Sequence, residues 1–155
     1  MVVFETNRIV DTIMDFVKTC PFLDEFGIDL TPTSTQRLVT AKPDGSALDY
    51  VGSNLITDLW DINKRRETIR QANFQLWLLR KSNHEAYRKD IADFLFNFEM
   101  WVEHCQAYGL TPKISKRIYE EVMWADNGVY FAEWDGKTAS LYTTQIHIRY
   151  YTDYQ

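Results

Sequence analysis

A long stretch with helical hydrophobic periodicity constrains the fold of this chain more than any other feature. Between Glu85 and Cys105, large apolar residues recur at spacings of three and four, which places them on one face of an α-helix. They are Tyr87, Ile91, Phe94, Leu95, Phe98, Trp101, Val102 and Cys105. Ser82 and Glu85 form a capping-box pattern before this face, and Gly109 and Pro112 end the helix. We therefore expect a long helix whose apolar face lies buried against a sheet.

The segments on either side of this helix alternate with the two-residue period of β-strands. Thr68 to Arg80 alternates in its first half and is apolar on both faces in its second half, which is typical of a central strand covered on both sides at one end. Leu141 to Tyr151 alternates between an apolar face and a polar, aromatic face. Asn54 to Asn63 and Lys116 to Trp124 are two further predicted strands.

The N-terminal third of the chain combines a helix with an irregular segment. An apolar stripe predicts a helix from Asn7 to Lys18, with Thr6 as the N-cap and Pro21 as the stop. Residues 30–53 are rich in proline, glycine and polar residues and predict a long exposed loop, within which residues 36–41 are a candidate short strand. Later turn signals are Asp126-Asn127-Gly128 and Asp135-Gly136.

The order of these elements predicts a single α+β domain over residues 1–155. It would be a mainly antiparallel β-sheet with an N-terminal helix and one long central helix packed on it. Hydrophobic residues make up 45% of the chain, enough for a core of ordinary size. Aromatic residues make up 15%, and they either enrich this core or lie on surfaces that bind partners.

Charge and hydropathy exclude several classes of protein. With a net charge of −5, the chain lacks the overall basic character that is typical of nucleic-acid-binding proteins. The run Lys64-Arg65-Arg66 is either a solvated turn or a phosphate contact. No apolar run reaches the length that spans a membrane, and the charges at Glu5, Arg8 and Asp11 argue against a secretory signal. We therefore expect the protein to fold in a cytoplasm.

The residues that usually carry chemistry form no recognisable motif. The three histidines are scattered over different predicted elements: His84, His104 and His147. Cys20 and Cys105 fit no metal spacing and are expected to be reduced core thiols or a single disulfide. No glycine-rich phosphate loop is present, and Glu120 and Glu121 would point to opposite faces of a strand. The sequence therefore predicts no catalytic, cofactor or metal site, and a protein that is not an enzyme.

Four segments resemble the tail terminator or minor capsid family of long-tailed bacteriophages. Ile69 to Leu76 resembles a strand of that family in which an Arg-Gln pair leads into apolar residues. Phe94 to Glu103 is similar to the family's aromatic helix, and Gly109 to Pro112 to the turn that follows it. Tyr142 to Tyr151 is similar to the last strand, which ends in paired tyrosines. Between Ala41 and Arg70 the chain is longer than the family's pattern.

The resemblance implies a structural protein of the phage neck. Such a protein would close into a ring, expected to be a hexamer, that caps the tail tube and joins it to the head connector. Its partners would be its own copies, the tail tube protein and a head-completion or connector protein. Genomic DNA would pass through without specific binding, and the protein would be assembled in the host bacterial cytoplasm into the head–tail junction of the virion. It would need no cofactor. A head-completion or stopper protein of the same neck, or a small non-viral binding or enzyme domain, remains an alternative.

Two groups of residues are candidate contacts for assembly. The polar, aromatic face of the last strand is either a subunit interface, or simply solvated, or covered by the N-terminal helix; it carries Gln145, His147, Arg149 and Tyr151. Apolar residues in the predicted loop would become ordered in the ring: Leu38, Val39, Leu48 and Tyr50.

Overall fold

A computed structural model describes residues 8–26, 46–60, 62–63, 65–80, 85–115, 121–134 and 139–154 of the chain. Two short helices come first, followed by a long hairpin, a 23-residue helix and a second pair of strands. In chain order the elements are α1 (Ile9–Val17), α2 (Phe22–Glu25), β1 (Ser46–Trp60), β2 (Arg66–Arg80), α3 (Glu85–Ala107), β3 (Val122–Trp134) and β4 (Ala139–Tyr154). The predicted α+β class is confirmed.

The four strands form one antiparallel sheet in the order β1-β2-β4-β3. The two strands with the clearest alternation in the sequence, β2 and β4, lie at the centre, as predicted for residues 68–80. Their register places Ala72 opposite Ile148 and Phe74 opposite Ile146. Side chains of directly opposed residues lie on the same side of a sheet, so this register joins two apolar rows into one surface.

The core lies between that surface and the helices. The apolar face of α3 contributes Phe94, Phe98 and Val102, which are fully buried, and α1 contributes Ile13 and Val17. Each large side chain buried in this way stabilises the fold by about 1.5–3 kcal/mol. The helical register predicted from the sequence is confirmed.

The end of α3 follows the prediction made from Gly109. Gly109 has a φ of +69°, and its N–H donates to the carbonyl of Gln106 at 3.3 Å. The N–H of Leu110 donates to the carbonyl of Cys105 at 2.8 Å. This pair of hydrogen bonds is a Schellman motif, which glycine favours because it has no Cβ to strain the left-handed conformation. Ser82 of the predicted capping box and the predicted N-cap Thr6 lie outside the described residues.

The loop predicted for residues 30–53 is wrong in its last part, because Ser46 to Ser53 belong to β1. The glycine that suggested a loop instead forms a bulge between Tyr50 and Ser53, where the φ of Gly52 is +102°. A bulge bends a strand without ending its pairing, so β1 continues along β2 as far as Trp60.

This correction changes the predicted loop contacts. Leu48 is a buried strand residue that joins the core, and Tyr50 is an exposed strand residue whose ring lies 5.7 Å from that of Phe74. Leu38, Val39 and the candidate strand at residues 36–41 lie outside the described residues.

The turn predicted at Asp126-Asn127-Gly128 is also wrong. These residues form a bulge inside β3, where Asn127 has a φ of +55° and the register shifts between Asp126 and Val129. Asparagine and glycine tolerate this backbone in a bulge as well as in a turn. The Glu99 side chain of α3 accepts the N–H of Gly128 at 2.7 Å and holds the bulge against the helix. The Asp135-Gly136 signal lies outside the described residues.

Of the strand predicted for residues 116–124, the described part from Val122 onward is a strand, and it continues to Trp134. Glu121 stands just before it, buried, and its carboxylate accepts the N–H groups of Ile114 at 2.9 Å and Ser115 at 2.7 Å. This carboxylate ties the segment after α3 to the start of β3. Residues 116–120 lie outside the described residues.

Candidate functional site

The four residues predicted as a subunit interface share one face of β4. Strand alternation places Gln145, His147, Arg149 and Tyr151 on the side opposite Ile146 and Ile148, whose side chains pack in the core with residues of α1 and α3. We call the side that carries the four residues the outer face of the sheet. Because α1 packs on the core side, the alternative in which that helix covers the outer face is wrong.

A chain of hydrogen bonds crosses all four strands on the outer face. Asn73 of β2 donates from Nδ2 to Oδ1 of Asn54 in β1 at 2.7 Å. On the other side, Oδ1 of Asn73 lies 2.6 Å from Nδ1 of His147 in β4. Nε2 of His147 lies 2.8 Å from Oδ1 of Asp126 in β3. We call these residues the four-strand network, because each strand contributes one of them.

The network fixes the orientation of the His147 ring. Nδ2 of Asn73 also donates to the carbonyl of Gly52 at 3.3 Å, so the amide oxygen of Asn73 faces His147 and acts as an acceptor. The second ring nitrogen faces the carboxylate of Asp126. Nδ1 therefore faces the amide oxygen of Asn73, with Nε2 of Gln71 3.5 Å away from it, and Nε2 of His147 faces a carboxylate oxygen.

Two aromatic contacts cover the network. The ring of Trp124 stacks on that of His147 at 5.1 Å between centroids and 29° between planes, which leaves His147 only 9% exposed. The guanidinium of Arg149 lies 5.5 Å from the centre of the Trp124 ring and donates to Oε1 of Gln71 at 3.2 Å. Stacking and hydrogen bonding together hold these side chains in single orientations, so the outer face is a preorganised surface.

The geometry of the network indicates a structural role. The hydrogen-bond partners of His147 among the described residues are the Asn73 and Gln71 amides and the Asp126 carboxylate. A histidine beside a carboxylate activates a nucleophile only when a hydroxyl or thiol lies within hydrogen-bond reach. With amides as its other partners, the Asp126–His147 pair joins strands instead.

Exposed apolar side chains form a second feature, at the free end of the β1–β2 hairpin. Past the Gly52 bulge, β1 is mostly exposed, and Trp60 is 64% exposed and Ile62 is 99% exposed. Leu55, Ile56 and Leu59 are also exposed. We call residues 55–60 and 62 the hairpin end. Sequence reasoning placed a strand here but missed its exposure, although apolar residues on both strand faces beside a charged run were a visible signal.

A third feature is a groove of about 440 Å³ between α3 and β3. Phe96 and Met100 of α3 line it with 63% and 52% exposure, together with Val122 of β3. Glu99 and Glu103 add carboxylates to the same lining. We call this the edge groove, because β3 is an outer strand of the sheet. Phe96 and Met100 lie outside the apolar face that the helical periodicity predicted to be buried. Two large apolar residues outside that face were a signal of exposed apolar surface, and sequence reasoning missed it.

Hydrogen bonds between α3 and the β3 segment fix the two walls of the edge groove relative to each other. Oε1 of Gln106 in α3 accepts the N–H of Met123 at 2.8 Å, and Nε2 of Gln106 donates to the carbonyl of Glu121 at 3.0 Å. With the Glu99–Gly128 bond farther along, they attach β3 to α3 at two levels. The groove is therefore a built feature of the fold.

Both cysteines are free and buried in the core. Burial raises the pKa of the Cys20 thiol to about 11 and also raises the pKa of Cys105. Both side chains are therefore thiols at neutral pH, and a thiol is a much weaker nucleophile than a thiolate.

The part of the chain that the structure describes contains neither a cluster of metal ligands nor a membrane-spanning helix. No group of three or more His, Cys, Asp or Glu side chains there could hold a metal ion. None of the helices in the same residues is both long enough and apolar enough to cross a membrane.

No protein-family model and no curated protein matches this chain at a significant level. The class of protein is defined here by its fold and surfaces. It is an α+β domain in which a four-stranded antiparallel sheet carries helices on one face and a hydrogen-bonded polar network on the other. Exposed apolar groups lie at both outer strands of that sheet.

Proposed function

We propose that this chain is a structural protein of the neck of a long-tailed bacteriophage. In this proposal it is a tail terminator that closes into a ring, caps the tail tube and joins it to the head connector. The observation that carries the proposal is the position of the exposed apolar side chains, at the hairpin end beside β1 and in the edge groove beside β3. The α+β fold also agrees with the fold that the sequence resemblance implies.

Exposed apolar side chains at two different edges favour a ring over a simple dimer. A two-fold dimer uses one self-complementary patch on both subunits, whereas a ring needs two different patches that meet head to tail. Groups of large exposed apolar side chains can mark contact sites on a protein surface. The hairpin end and the edge groove are two such patches on one chain.

The outer face supports a separate contact within the same assembly. It presents Arg149 and Tyr151 beside the stacked Trp124, and arginine and aromatic residues carry much of the binding energy at protein interfaces. Its preorganised side chains would lose little conformational entropy on binding. This face suits the subunit boundary, or the tail tube and head-connector proteins that the proposed terminator would meet.

The acidic balance of the chain agrees with a channel for DNA. A net charge of −5 disfavours tight binding of phosphates, so genomic DNA could slide through the ring without being retained. A head-completion or stopper protein of the same neck would share this property. The two are separated by the partner that the ring binds.

The proposal is tested by assembly rather than by activity. The purified protein is analysed by native mass spectrometry and negative-stain electron microscopy, then mixed with tail tubes from a phage that lacks its terminator. We expect a closed ring, with hexamers as the main species, that binds one end of the tube. A protein that stays monomeric and leaves the tubes uncapped would overturn the proposal. Binding to isolated head connectors with no binding to tubes would replace it with the stopper alternative.

A further inference from the structure

We infer that the Asn127-Gly128 peptide is a latent self-modification site, which a hydrogen bond to the long helix keeps unreactive in the folded chain. The modification is the loss of ammonia from the Asn127 side chain, through attack by the backbone nitrogen of Gly128. This chemistry goes beyond the proposed assembly function and does not depend on ring formation.

Asn-Gly is the dipeptide whose side-chain amide is lost most readily. The backbone nitrogen of the second residue attacks Cγ of the asparagine, and glycine leaves this nitrogen unhindered because it has no Cβ. A bond from this nitrogen to Cγ forms, the bond from Cγ to Nδ2 breaks, and ammonia leaves with the proton that the backbone nitrogen loses. Water then opens the resulting succinimide ring to aspartate or isoaspartate. Asn127-Gly128 is the only Asn-Gly pair in the sequence.

The bulge in β3 favours this labile pair. Asn127 is exposed and has a φ of +55°, a left-handed conformation that asparagine tolerates better than most residues. A Cβ on residue 128 would lie 2.7 Å from Oε1 of Glu99 and 3.0 Å from Cβ of Leu95. Any residue larger than glycine would therefore displace the Glu99 carboxylate or crowd the helix.

The backbone nitrogen of Gly128 is held by α3. Its N–H donates to Oε1 of Glu99 at 2.7 Å, a short hydrogen bond to a carboxylate. Attack on Cγ requires the peptide plane between Asn127 and Gly128 to turn, and that rotation breaks this bond. Glu99 lies on a helix whose neighbouring residues Leu95 and Phe98 are buried in the core, so its backbone cannot follow the turning peptide.

The side chain of Asn127 is held separately, by the sheet. Nδ2 donates to Oε1 of Gln145 in β4 at 3.2 Å and to Oδ1 of Asp126 at 3.2 Å. The attacking nitrogen and the attacked carbon are therefore restrained by two different elements, α3 and β4. Because the reaction needs both groups in an attack geometry, it proceeds when the bulge opens locally.

The modification would alter the outer face of the sheet. Hydrolysis replaces the Nδ2 donor with a carboxylate oxygen, which would face the carboxylate of Asp126, and neighbouring like charges are destabilising. Asp126 also contacts Nε2 of His147 at 2.8 Å, so the four-strand network would be weakened. In isoaspartate the main chain runs through the former side chain, which lengthens β3 by a methylene group and disturbs its pairing with β4.

Variants of Glu99 test the inference by mass spectrometry. Each folded protein is incubated at mildly alkaline pH, and peptides that contain residue 127 are assayed over time for conversion of the amide to the acid. We expect Glu99→Ala to react about tenfold faster than the unchanged protein, the effect of one lost hydrogen bond to a carboxylate on local opening. Glu99→Gln should react within about twofold of the unchanged protein, because its amide oxygen can accept the same N–H.

Two controls separate local opening of the bulge from a general loss of stability. Glu103→Ala removes an exposed carboxylate one turn farther along the same helix and should leave the rate unchanged. The unchanged protein in concentrated urea gives the rate of the open peptide and should react much faster than the folded protein. Circular dichroism checks that each variant is folded. If Glu99→Ala does not fold, Glu99→Asp replaces it, because the shorter side chain withdraws the carboxylate from the Gly128 N–H.

The measured rates support or overturn the inference. Faster reaction in Glu99→Ala supports it, and the rate of Glu99→Gln then shows whether any acceptor or only a carboxylate restrains the peptide. Slower reaction in Glu99→Ala would mean that the carboxylate promotes attack as a base, which overturns the inference. Equal rates in the folded protein and in urea, or equal rates in Glu99→Ala and the unchanged protein, overturn it as well. The proposed function is tested separately, since none of these rates reports on ring formation.

Discussion

His147 links the central strand β4 to β2 and to β3 through its side chain. Its two ring nitrogens contact side chains from β2 and β3 at 2.6 and 2.8 Å, and Trp124 covers the ring. Hydrogen bonds in a partly buried, well-oriented network are individually stronger than exposed ones, and removing one partner leaves the others unsatisfied. We therefore expect the removal of a single amide side chain from the network to lower the free energy of unfolding.

Replacing Asn73 tests this network. Asn73→Ala removes the acceptor that faces His147 and the two donors that reach β1, and we expect a loss of about 1–3 kcal/mol in the free energy of unfolding. Gln75→Ala is the matched control, because Gln75 lies on the same strand and face. Urea titration of both variants measures the difference. Equal losses would show that the network contributes nothing specific.

The buried thiol of Cys20 makes a second prediction at this scale. Because burial raises its pKa to about 11, the thiolate fraction at pH 8 is very small, and iodoacetamide should modify the native protein slowly. The rate should rise as the pH approaches 11, since deprotonation creates the nucleophile. Mass spectrometry over time gives the rate, with protein in concentrated urea as the reactive control. Modification within minutes at pH 8 would mean that Cys20 is accessible and ionised.

The long helix α3 belongs to two surfaces at once. Phe94, Phe98 and Val102 bury one side of it against the sheet, and Phe96 and Met100 project from another side into the edge groove. The same element therefore carries residues that stabilise the fold and residues that are available for assembly. Neighbouring positions on one helix should accordingly differ sharply in their effect on stability.

Two phenylalanines of α3 provide a matched comparison. Phe98→Ala should lower the free energy of unfolding by about 3–5 kcal/mol, because it leaves a cavity in the core. Phe96→Ala should change it by less than about 0.5 kcal/mol, because Phe96 is mainly exposed. Denaturant titration of the two variants decides the assignment. A loss below about 1 kcal/mol for Phe98→Ala would place the wrong face of the helix in the core.

At the scale of the whole molecule, the assembly proposal depends on surfaces rather than on a reactive centre. The sheet presents an outer strand with exposed apolar groups on each side and a preorganised polar face between them. The residues of these surfaces lie outside the main core cluster, so they can be changed with little effect on it. Defects in fold and defects in assembly are therefore separable by mutation.

The double variant Arg149→Glu with Tyr151→Ala uses that separation on the outer face. We expect the monomer to keep its fold, with a stability loss of about 1–2 kcal/mol from the lost contacts with Gln71 and Trp124, while ring formation fails. Sedimentation velocity measures assembly, and circular dichroism measures the fold. The control is Lys89→Glu with Tyr108→Ala, a similar pair of changes at one exposed position of α3 and at the exposed residue that follows the helix. If the double variant folds and assembles normally, the outer face of the sheet is not part of the interface.

The amino-acid sequence by itself determined the elements whose pattern is local. The three- and four-residue spacing of Phe94, Phe98 and Val102 predicts the buried face of α3, because helix geometry alone repeats those positions on one side. Similarly, the two-residue alternation of apolar side chains predicts which residues of β2 and β4 face the core. Gly109 predicts the helix end, because few other residues adopt its backbone conformation readily.

The tertiary structure alone decided the bulges and the functional surfaces. Glycine and asparagine are compatible with both a turn and a bulge. At Gly52 and Asn127 a bulge forms because the chain continues to pair with the neighbouring strand beyond these residues. The four-strand network joins Asn54, Asn73, Asp126 and His147. Their adjacency follows from the strand order β1-β2-β4-β3, which depends on how distant segments pair and which no local pattern encodes. The exposure of the hairpin end and the edge groove has the same origin, since burial depends on what the rest of the chain covers.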